Sequence, residues 1–391
     1  MVPRLYVCRG GMSFAPGVLS WEEGMVTYAG PAVDYRGDAQ ELRDACIVPG
    51  FVDCHTHLPF FGWRADEFTE RLAGRSYRDL HGEGGIPRSA RMLADAGDDE
   101  VLEFCRPLVS EMTAHGTTAF EMKTGYGLSV EAELRQARLA RKLVSEVPQT
   151  CVVTLLACHA VPPGMTRAEW MRAVVDELIP AAAAEDLVEA VDVYVEDIAF
   201  TVDDLRTVAE AAGAAGLSVR CHADQLGHSF ATEVAVEVGA RSADHLNNVG
   251  PGGVMALGGA PETVAVLLPA SSLVLGAVLP PARDLVEVGA AVALSTDFNP
   301  GTSPALSMPE VIALGCSLYG LSPAEALPAV TANPAWVLGL DDRLGTLEPG
   351  KRADFLVLDV EDFAGVPYRP GHNPVEQTWI GGVRVAPGAE D

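Results

Sequence analysis

The sequence predicts a (β/α)8 barrel of the TIM type that carries a small composite β-sandwich built from both termini. Short apolar runs alternate with longer, helix-like segments rich in Ala and Arg, as in a parallel sheet covered by helices on both faces. Eight such runs over about 300 residues favour a closed barrel over an open doubly wound sheet. The runs lie at 48–55, 117–123, 151–158, 191–196, 218–223, 241–246, 263–268 and 291–296.

The two ends of the chain predict the second domain. Residues 1–47 and 346–391 contain short strand-like segments separated by turns. Neither end alone has enough strands for a sheet with a core, since an isolated hairpin is only marginally stable in water. We therefore expect both ends to pair in one sandwich, with the barrel, residues 48–345, inserted between them.

Charge and composition exclude several partners. With 27 basic and 54 acidic side chains the formal charge is −27, which argues against nucleic acid and against anionic membranes. Residues 263–282 are uncharged and long enough to cross a bilayer, but Pro269 and Pro280-Pro281 favour a strand, a loop and a stop. The eight cysteines include no C-x-x-C pair and the first residues lack a signal-peptide pattern, so we expect a cytoplasmic protein with reduced thiols.

Polar residues follow most of the predicted strands. In a barrel of this type the C-terminal ends of all strands open on one mouth, so these side chains are expected to converge. In chain order they are His55, His57, Lys123, Tyr126, His159, Glu196, His222, Gln225, His245, Asp297 and Asn299.

A metal site is the first chemistry that this convergence predicts. His55 and His57 are two residues apart on a strand, so their imidazoles point to the same side. H-x-H alone more often marks hydrogen-bonded histidines at a strand end, but with His222 and Asp297 it predicts one metal ion. Nitrogen and oxygen ligands of this kind suit Zn²⁺ or Fe, which would lower the pKa of a bound water.

Several motifs together resemble the imidazolonepropionases, cyclic amidohydrolases of histidine degradation. These motifs are VPGFVDCHTH, GTTAFEMKTGYGL, CHAVPP, HADQ, SADHL and STDFNPGTSP. The resemblance implies hydrolysis of 4-imidazolone-5-propanoate, a small anionic cyclic substrate, to N-formimidoyl-L-glutamate. It also implies a homodimer and one metal ion per subunit, held by His55, His57, His222 and Asp297.

The resemblance further implies roles for individual side chains. Positions that hold the substrate's ring and propionate match Arg64, Tyr126 and His159, with Gln225 and Thr302 as further contacts. Asn299 and Gly301 match residues that touch the ring-opened product. The predicted catalytic residues are Asp297, His245 and Gln225. On chemical grounds Asp297 is expected to pass a proton from water to the leaving nitrogen, and Arg64 offers a bidentate fork to a carboxylate.

The sequence departs from its relatives at a few points. Gln225 stands where related aminohydrolases have a proton-shuttling Glu, and because Gln does not titrate, a deaminase is disfavoured. Cys54 replaces the family's usual Pro, and we expect a buried structural cysteine. Segments 81–96 and 225–233 follow the family only loosely. A second metal between Lys123 and Glu196 is not expected, because the bridging lysine of dinuclear relatives ends the fourth strand.

Two alternatives to this function remain. One is hydrolysis of a related five-membered ring, such as a thio- or N-substituted imidazolone or a hydantoin. The other is a non-catalytic scaffold, which the complete set of three His and one Asp disfavours.

Overall fold

Strands from both ends of the chain meet in one small domain. The computed structural model describes residues 1–8, 12–75 and 84–385. The N-terminal strands are β1 (Arg4–Tyr6), β2 (Ser13–Phe14), β3 (Gly17–Glu22), β4 (Met25–Pro31) and β5 (Cys46–Pro49). The C-terminal strands are β14 (Phe355–Leu358), β15 (Val375–Ile380) and β16 (Val383–Val385). Six of them form a sheet ordered β16-β15-β14-β5-β1-β2, while β3 pairs with β4.

Apolar side chains between these two sheets make a core of their own. Leu5, Leu19, Val26, Ile47 and Phe355 come from five different strands and are buried in one cluster. Burial of apolar side chains from both ends of the chain is what holds the ends together. The predicted composite sandwich is confirmed.

Eight parallel strands form the barrel, and each is hydrogen-bonded to the next strand along the chain. They are β6 (Phe51–Asp53), β7 (Thr117–Lys123), β8 (Thr150–Cys158), β9 (Ala190–Val195), β10 (Ser218–Ala223), β11 (Ser242–His245), β12 (Val264–Leu267) and β13 (Val292–Leu294). Each overlaps one of the eight predicted runs, so the predicted barrel is confirmed.

The first run needs a correction, because residues 48–55 are not one barrel strand. Cys46–Pro49 belongs to the terminal sheet, where it pairs with β1 and β14. The chain passes from that sheet to the barrel at Gly50, where a Cβ would overlap the side chain of Thr118. A glycine permits this close approach of the chain to the neighbouring strand.

Side chains complete the contact between the first and last barrel strands. A parallel bridge joins Thr56 to Phe298. The backbone N–H of Cys54 donates to Ser295 Oγ at 2.8 Å, and Thr296 Oγ1 donates to Asp53 Oδ2 at 2.6 Å. These bonds seat the His55–His57 segment beside the segment that carries Asp297.

Helices surround the barrel, and several begin at a Ser or Thr whose hydroxyl caps a backbone N–H: Ser129, Thr166, Thr201, Ser307 and Ser322. The helices are α1 (Ala65–Leu72), α2 (Gly85–Asp95), α3 (Asp98–Ala114), α4 (Val130–Val144), α5 (Arg167–Ala173), α6 (Ile179–Ala184), α7 (Val202–Ala214), α8 (Ala231–Glu237), α9 (Pro251–Gly258), α10 (Pro269–Leu275), α11 (Ala282–Glu287), α12 (Met308–Tyr319), α13 (Pro323–Ala329), α14 (Ala332–Leu338) and α15 (Gly365–Tyr368). A π-helical turn, Val174–Leu178, joins α5 to α6, and Ala32–Asp34 is a 3-10 turn.

The uncharged segment 263–282 contains β12 followed by the short helix α10. The strand was predicted, whereas the helix replaces an expected loop. Pro269 lies in the first turn of α10. Proline is tolerated there because a backbone N–H at that position would have no partner within the helix. Across residues 1–8, 12–75 and 84–385, no helix is both long enough and apolar enough to cross a membrane.

Candidate metal and substrate site

Most of the predicted polar side chains converge in one pocket at the C-terminal ends of the barrel strands. The pocket is lined by His57, Arg64, Ile86, Tyr126, His159, Tyr194, His222, Gln225, His245, Asp297, Asn299 and Thr302. His55 lies fully buried beside this group, with its ring centroid 4.5 Å from that of His222. Gly301 packs against the guanidinium of Arg64.

Two overlapping groups of possible metal ligands meet at His55. One contains His55, His57 and Asp297, and the other contains His55, His222 and His245. Asp297 Oδ1 lies 3.2 Å from His57 Nε2 and 3.5 Å from His55 Nε2. All four predicted ligands therefore lie in these groups. His245, which was predicted to be a catalytic residue, also belongs to one of them.

The histidines present the chemistry that a metal ion needs. His55 Nε2, His57 Nδ1 and His222 Nε2 are buried and have no hydrogen-bond partner among the described residues. Burial lowers the pKa of His55 and of His57. The charge of Lys123 lowers that of His55 further, whereas the hydrogen bond with Asp297 opposes the shift at His57 without reversing it. Neutral imidazoles with free nitrogens are the form that binds metal, so these residues fit a Zn²⁺ or Fe ion.

Two aspartates that sequence reasoning did not single out orient the histidines. Asp244 Oδ2 lies 2.6 Å from His55 Nδ1, and Asp192 Oδ2 lies 3.0 Å from His222 Nδ1. A carboxylate on Nδ1 fixes the tautomer and directs Nε2 toward a metal. The sequence pattern that could have indicated them is an aspartate inside an otherwise apolar strand. A charged side chain buried in such a strand needs a partner.

Asp297 and His245 both have a left-handed backbone, with φ of 55° and 76°. Burial acts to raise the pKa of Asp297, but the hydrogen bond with His57 holds it below its ordinary value. Burial lowers the pKa of His245 to about 3. The site thus holds an ionised carboxylate beside a neutral imidazole, a base and a hydrogen-bonding group for one reaction.

Among the described residues that line the pocket, Arg64 is the one arginine or lysine. It is 3% exposed, and its Nε and Nη1 have no hydrogen-bond partner within the described part of the chain. Glu67 lies 3.7 Å from Nη1, and its Oε1 accepts from the backbone N–H of Gly85 at the start of α2. A buried guanidinium with unused donors is suited to bind a carboxylate.

Asn299 organises the loop that follows β13. Its Oδ1 accepts from the N–H of Gly301 at 2.9 Å, from the N–H of Thr302 at 2.7 Å and from Thr302 Oγ1 at 3.1 Å. Its Nδ2 donates to the carbonyl of Asp297 at 2.6 Å. Most of the carboxamide is therefore engaged in holding the segment that carries Asp297.

Tyr126 and His159 line the pocket beside His57. Their ring centroids are 5.5 Å apart, and His159 stacks on His57 at 5.2 Å. The loop that carries Tyr126 is ordered by the buried Glu133, which accepts from the N–H groups of Gly125, Gly127 and Leu128. Sequence reasoning missed Tyr194, which comes from the fourth barrel strand and adds a further ring beside His159 and His222.

Gln225 reaches the pocket from the loop after the fifth barrel strand. The backbone carbonyl of Gln225 accepts a hydrogen bond from Asn248 Nδ2 at 2.7 Å. Asp224 accepts from the N–H of Ser229 and from Thr232 Oγ1, which ties the loop 225–230 to the first turn of α8. Of segment 81–96, residues 85–95 form α2 and Ile86 lines the pocket, while residues 81–83 lie outside the described residues.

Lys123 and Glu196 do not line the pocket, which corrects the expectation that they converge there. Lys123 points into the barrel interior, where its Nζ lies 2.6 Å from Asp192 Oδ2 and 2.8 Å from Glu121 Oε2. Glu196 accepts from the N–H of Leu226 at 2.7 Å, and burial raises its pKa to about 7. Each therefore has a partner of its own.

Comparisons with known proteins agree with this arrangement. The sequence model of the amidohydrolase family matches residues 46–385. The imidazolonepropionase of Rubrobacter xylanophilus is 46% identical, over 91% of this chain and 84% of that protein. The imidazolonepropionase of Rhizorhabdus wittichii is 42% identical, over 93% of this chain and 94% of that protein.

Solved structures show the same fold at much lower identity. An adenosine deaminase from Xanthomonas campestris with bound zinc has a TM-score of 0.73 at 17% identity, over 98% of this chain and 91% of that chain. A guanine deaminase from C. acetobutylicum with bound guanine has a TM-score of 0.72 at 15% identity, over 98% of both chains. Since the family model spans most of the sequence and the relatives cover nearly all of it, the chain belongs to the amidohydrolase family and, within it, to the imidazolonepropionases.

Proposed function

We propose that the protein hydrolyses 4-imidazolone-5-propanoate to N-formimidoyl-L-glutamate. The principal support is one juxtaposition: the buried Arg64 guanidinium with unused donors faces the same pocket as imidazole nitrogens without partners. The first group suits the propionate of the substrate and the second suits a metal ion. The names of the relatives point to the same reaction.

The metal is proposed to be one Zn²⁺ or Fe ion per subunit, held by His55, His57, His222 and Asp297. When bound, such an ion acts as a Lewis acid and lowers the pKa of water. Asp244 and Asp192 keep the Nδ1 atoms of His55 and His222 occupied, so Nε2 remains free as the ligand atom.

Substrate binding is assigned to side chains around the rest of the pocket. Arg64 binds the propionate, with Tyr126 and His159 beside the ring and Gln225, Thr302, Asn299 and Gly301 as further contacts. Because Arg64 is buried and held by its neighbours, it loses little freedom when the carboxylate binds.

The reaction needs one proton to move. Water adds to the amide carbon of the ring, the C–N bond breaks, and the leaving nitrogen takes up the proton that water gives. Asp297 is proposed to carry that proton, since its pKa is below the ordinary value and it is ionised at neutral pH. His245, neutral because its pKa is about 3, donates a hydrogen bond to the charge that develops on the oxygen.

A turnover assay on freshly generated 4-imidazolone-5-propanoate tests this function. The purified protein should release N-formimidoyl-L-glutamate, and His222→Ala should lower kcat by more than about 1000-fold because it removes a metal ligand. If the protein hydrolysed a hydantoin or a substituted imidazolone but not 4-imidazolone-5-propanoate, the proposed reaction type would stand and the proposed substrate would be wrong.

Metal analysis and solution mass test the remaining proposals. Elemental analysis should give one Zn or Fe per chain, whereas two tightly bound ions would contradict a single site. A chain that neither retains nor rebinds metal would favour the non-catalytic scaffold. We further propose a cytoplasmic homodimer, in line with eight free cysteines. Light scattering in solution should give twice the chain mass of 41.2 kDa.

A further inference from the structure

A buried cluster of charges lies inside the barrel beneath the metal site. Its cations are Lys123 and Arg220, and its carboxylates are Glu121, Asp192 and Asp244, all between 0% and 1% exposed. Burying so many charges is unfavourable unless each is paired, so the arrangement requires a reason.

Lys123 connects the two carboxylates that hold metal-ligating histidines. Its Nζ lies 2.6 Å from Asp192 Oδ2 and 3.9 Å from Asp244 Oδ2. Asp192 Oδ1 in turn accepts from the backbone N–H of His222 at 3.2 Å and lies 3.1 Å from its Nδ1. One ammonium group therefore lies next to both of the aspartates that orient the histidines. These aspartates belong to different strands.

Arg220 provides an internal comparison. It is as buried as Lys123 and pairs with the same Glu121, but within the described residues it forms no ion pair or hydrogen bond with Asp192 or Asp244. It pairs with Glu121, and it donates to Thr154 Oγ1 and to the carbonyl of Val337. Within the described residues, none of these partners is hydrogen-bonded to a histidine. Lys123 and Arg220 thus share burial and charge but differ in their connection to the metal site.

We propose that Lys123 is a positioning residue for the metal: through Asp192 and Asp244 it fixes the orientation of His222 and His55. Without its charge, Glu121, Asp192 and Asp244 would repel one another at close range. The carboxylates would then move apart, and the two histidines would lose the partners that fix their tautomers. This inference rests on the proposed metal-dependent function.

Zinc affinity and cobalt spectra test the inference. In Lys123→Met we expect zinc affinity, measured by competition with a chelator, to fall by about 10- to 100-fold. The d–d absorption of the Co²⁺-loaded variant should change, because it reports ligand geometry. The matched control, Arg220→Met, should keep the wild-type spectrum and lie within about threefold of the wild-type affinity.

Coupling to Asp192 separates positioning from general destabilisation. Asp192→Asn should lower zinc affinity by a similar factor, and the double variant K123M/D192N should lose less than the two single losses combined. If K123M does not fold, K123M/E121Q removes one charge of each sign and gives the same comparison. Wild-type affinity with a wild-type spectrum in K123M, or equal losses in K123M and R220M, would overturn the inference. Wild-type protein that binds neither zinc nor iron would instead overturn the proposed metal-dependent function.

Discussion

The guanidinium of Arg64 lies directly against the backbone of Gly301, and a Cβ at residue 301 would overlap Nη2, Cζ and Nε of that arginine. The backbone N–H of Arg64 also donates to the carbonyl of Pro300 at 2.9 Å. The loop after the last barrel strand therefore sets the position of a cation that belongs to the loop after the first. A glycine at 301 leaves the space that this packing requires.

Gly301→Ala should displace Arg64 and weaken substrate binding. Because the guanidinium would lose its position, we expect KM to rise by about 10- to 100-fold, with a smaller change in kcat. Gly213→Ala is the matched control, since a Cβ at residue 213 meets no other atom within 4 Å and should leave KM unchanged. Steady-state kinetics of both variants test this prediction. An unchanged KM in G301A would show that Gly301 does not set the position of Arg64 for substrate binding.

Gln225→Ala should impair binding more than turnover. The Gln225 side chain cannot titrate. Its loop is held without that side chain, because Asn248 Nδ2 donates to the backbone carbonyl of Gln225 and the N–H of Leu226 donates to Glu196. Loss of one hydrogen bond predicts a rise in KM of about 5- to 20-fold. Gln225→Met, which keeps the volume and loses the hydrogen bond, should behave alike. A fall in kcat alone, with KM unchanged, would assign Gln225 to the chemical step instead.

The barrel could be predicted from the sequence because apolar, strand-like runs recur along the chain, separated by helix-like segments. All eight apolar runs contain a strand, and polar residues after them converge because parallel strands end on one face. Cys54 lies buried as predicted, with Sγ 3.2 Å from Ser295 Oγ, and burial raises its thiol pKa to about 12. Such a thiol is not reactive at neutral pH.

The sequence could not give the contacts that cross the barrel interior. The pairs Asp244–His55 and Lys123–Asp192 join residues far apart in the chain, and each depends on which way a strand residue faces. A shift of one residue reverses that direction, so strand ends located only to within a few residues do not fix it. Lys123 ends β7 as predicted, but the run of residues does not show which way its side chain faces, and it points into the barrel rather than into the pocket.

Stability should depend on pH through Glu196. Burial raises its pKa from the ordinary 4.5 to about 7, so the folded state favours the protonated form. Its contribution to stability is then full below about pH 4.5 and is lost as the pH rises through about 7. Glu196→Gln should remove this part of the fall in Tm between about pH 5 and pH 8.

The control for this pH dependence is Glu103→Gln, on the exposed face of α3. It should leave the pH dependence of Tm as in the wild type. Equal pH profiles for E196Q and the wild type, measured by thermal denaturation in matched buffers, would show that Glu196 does not titrate in this range.

Ionic strength should not slow substrate capture. The protein carries a formal charge of −27 and the proposed substrate is an anion, so the overall field opposes its approach. Capture is therefore expected to be local, through Arg64 and the proposed metal ion at the mouth of the barrel. Raising the salt from about 20 to about 300 mM shortens the Debye length and should leave kcat/KM unchanged or higher. Two different salts should be compared to separate screening from ion binding, and a marked fall in both would reveal a basic approach path.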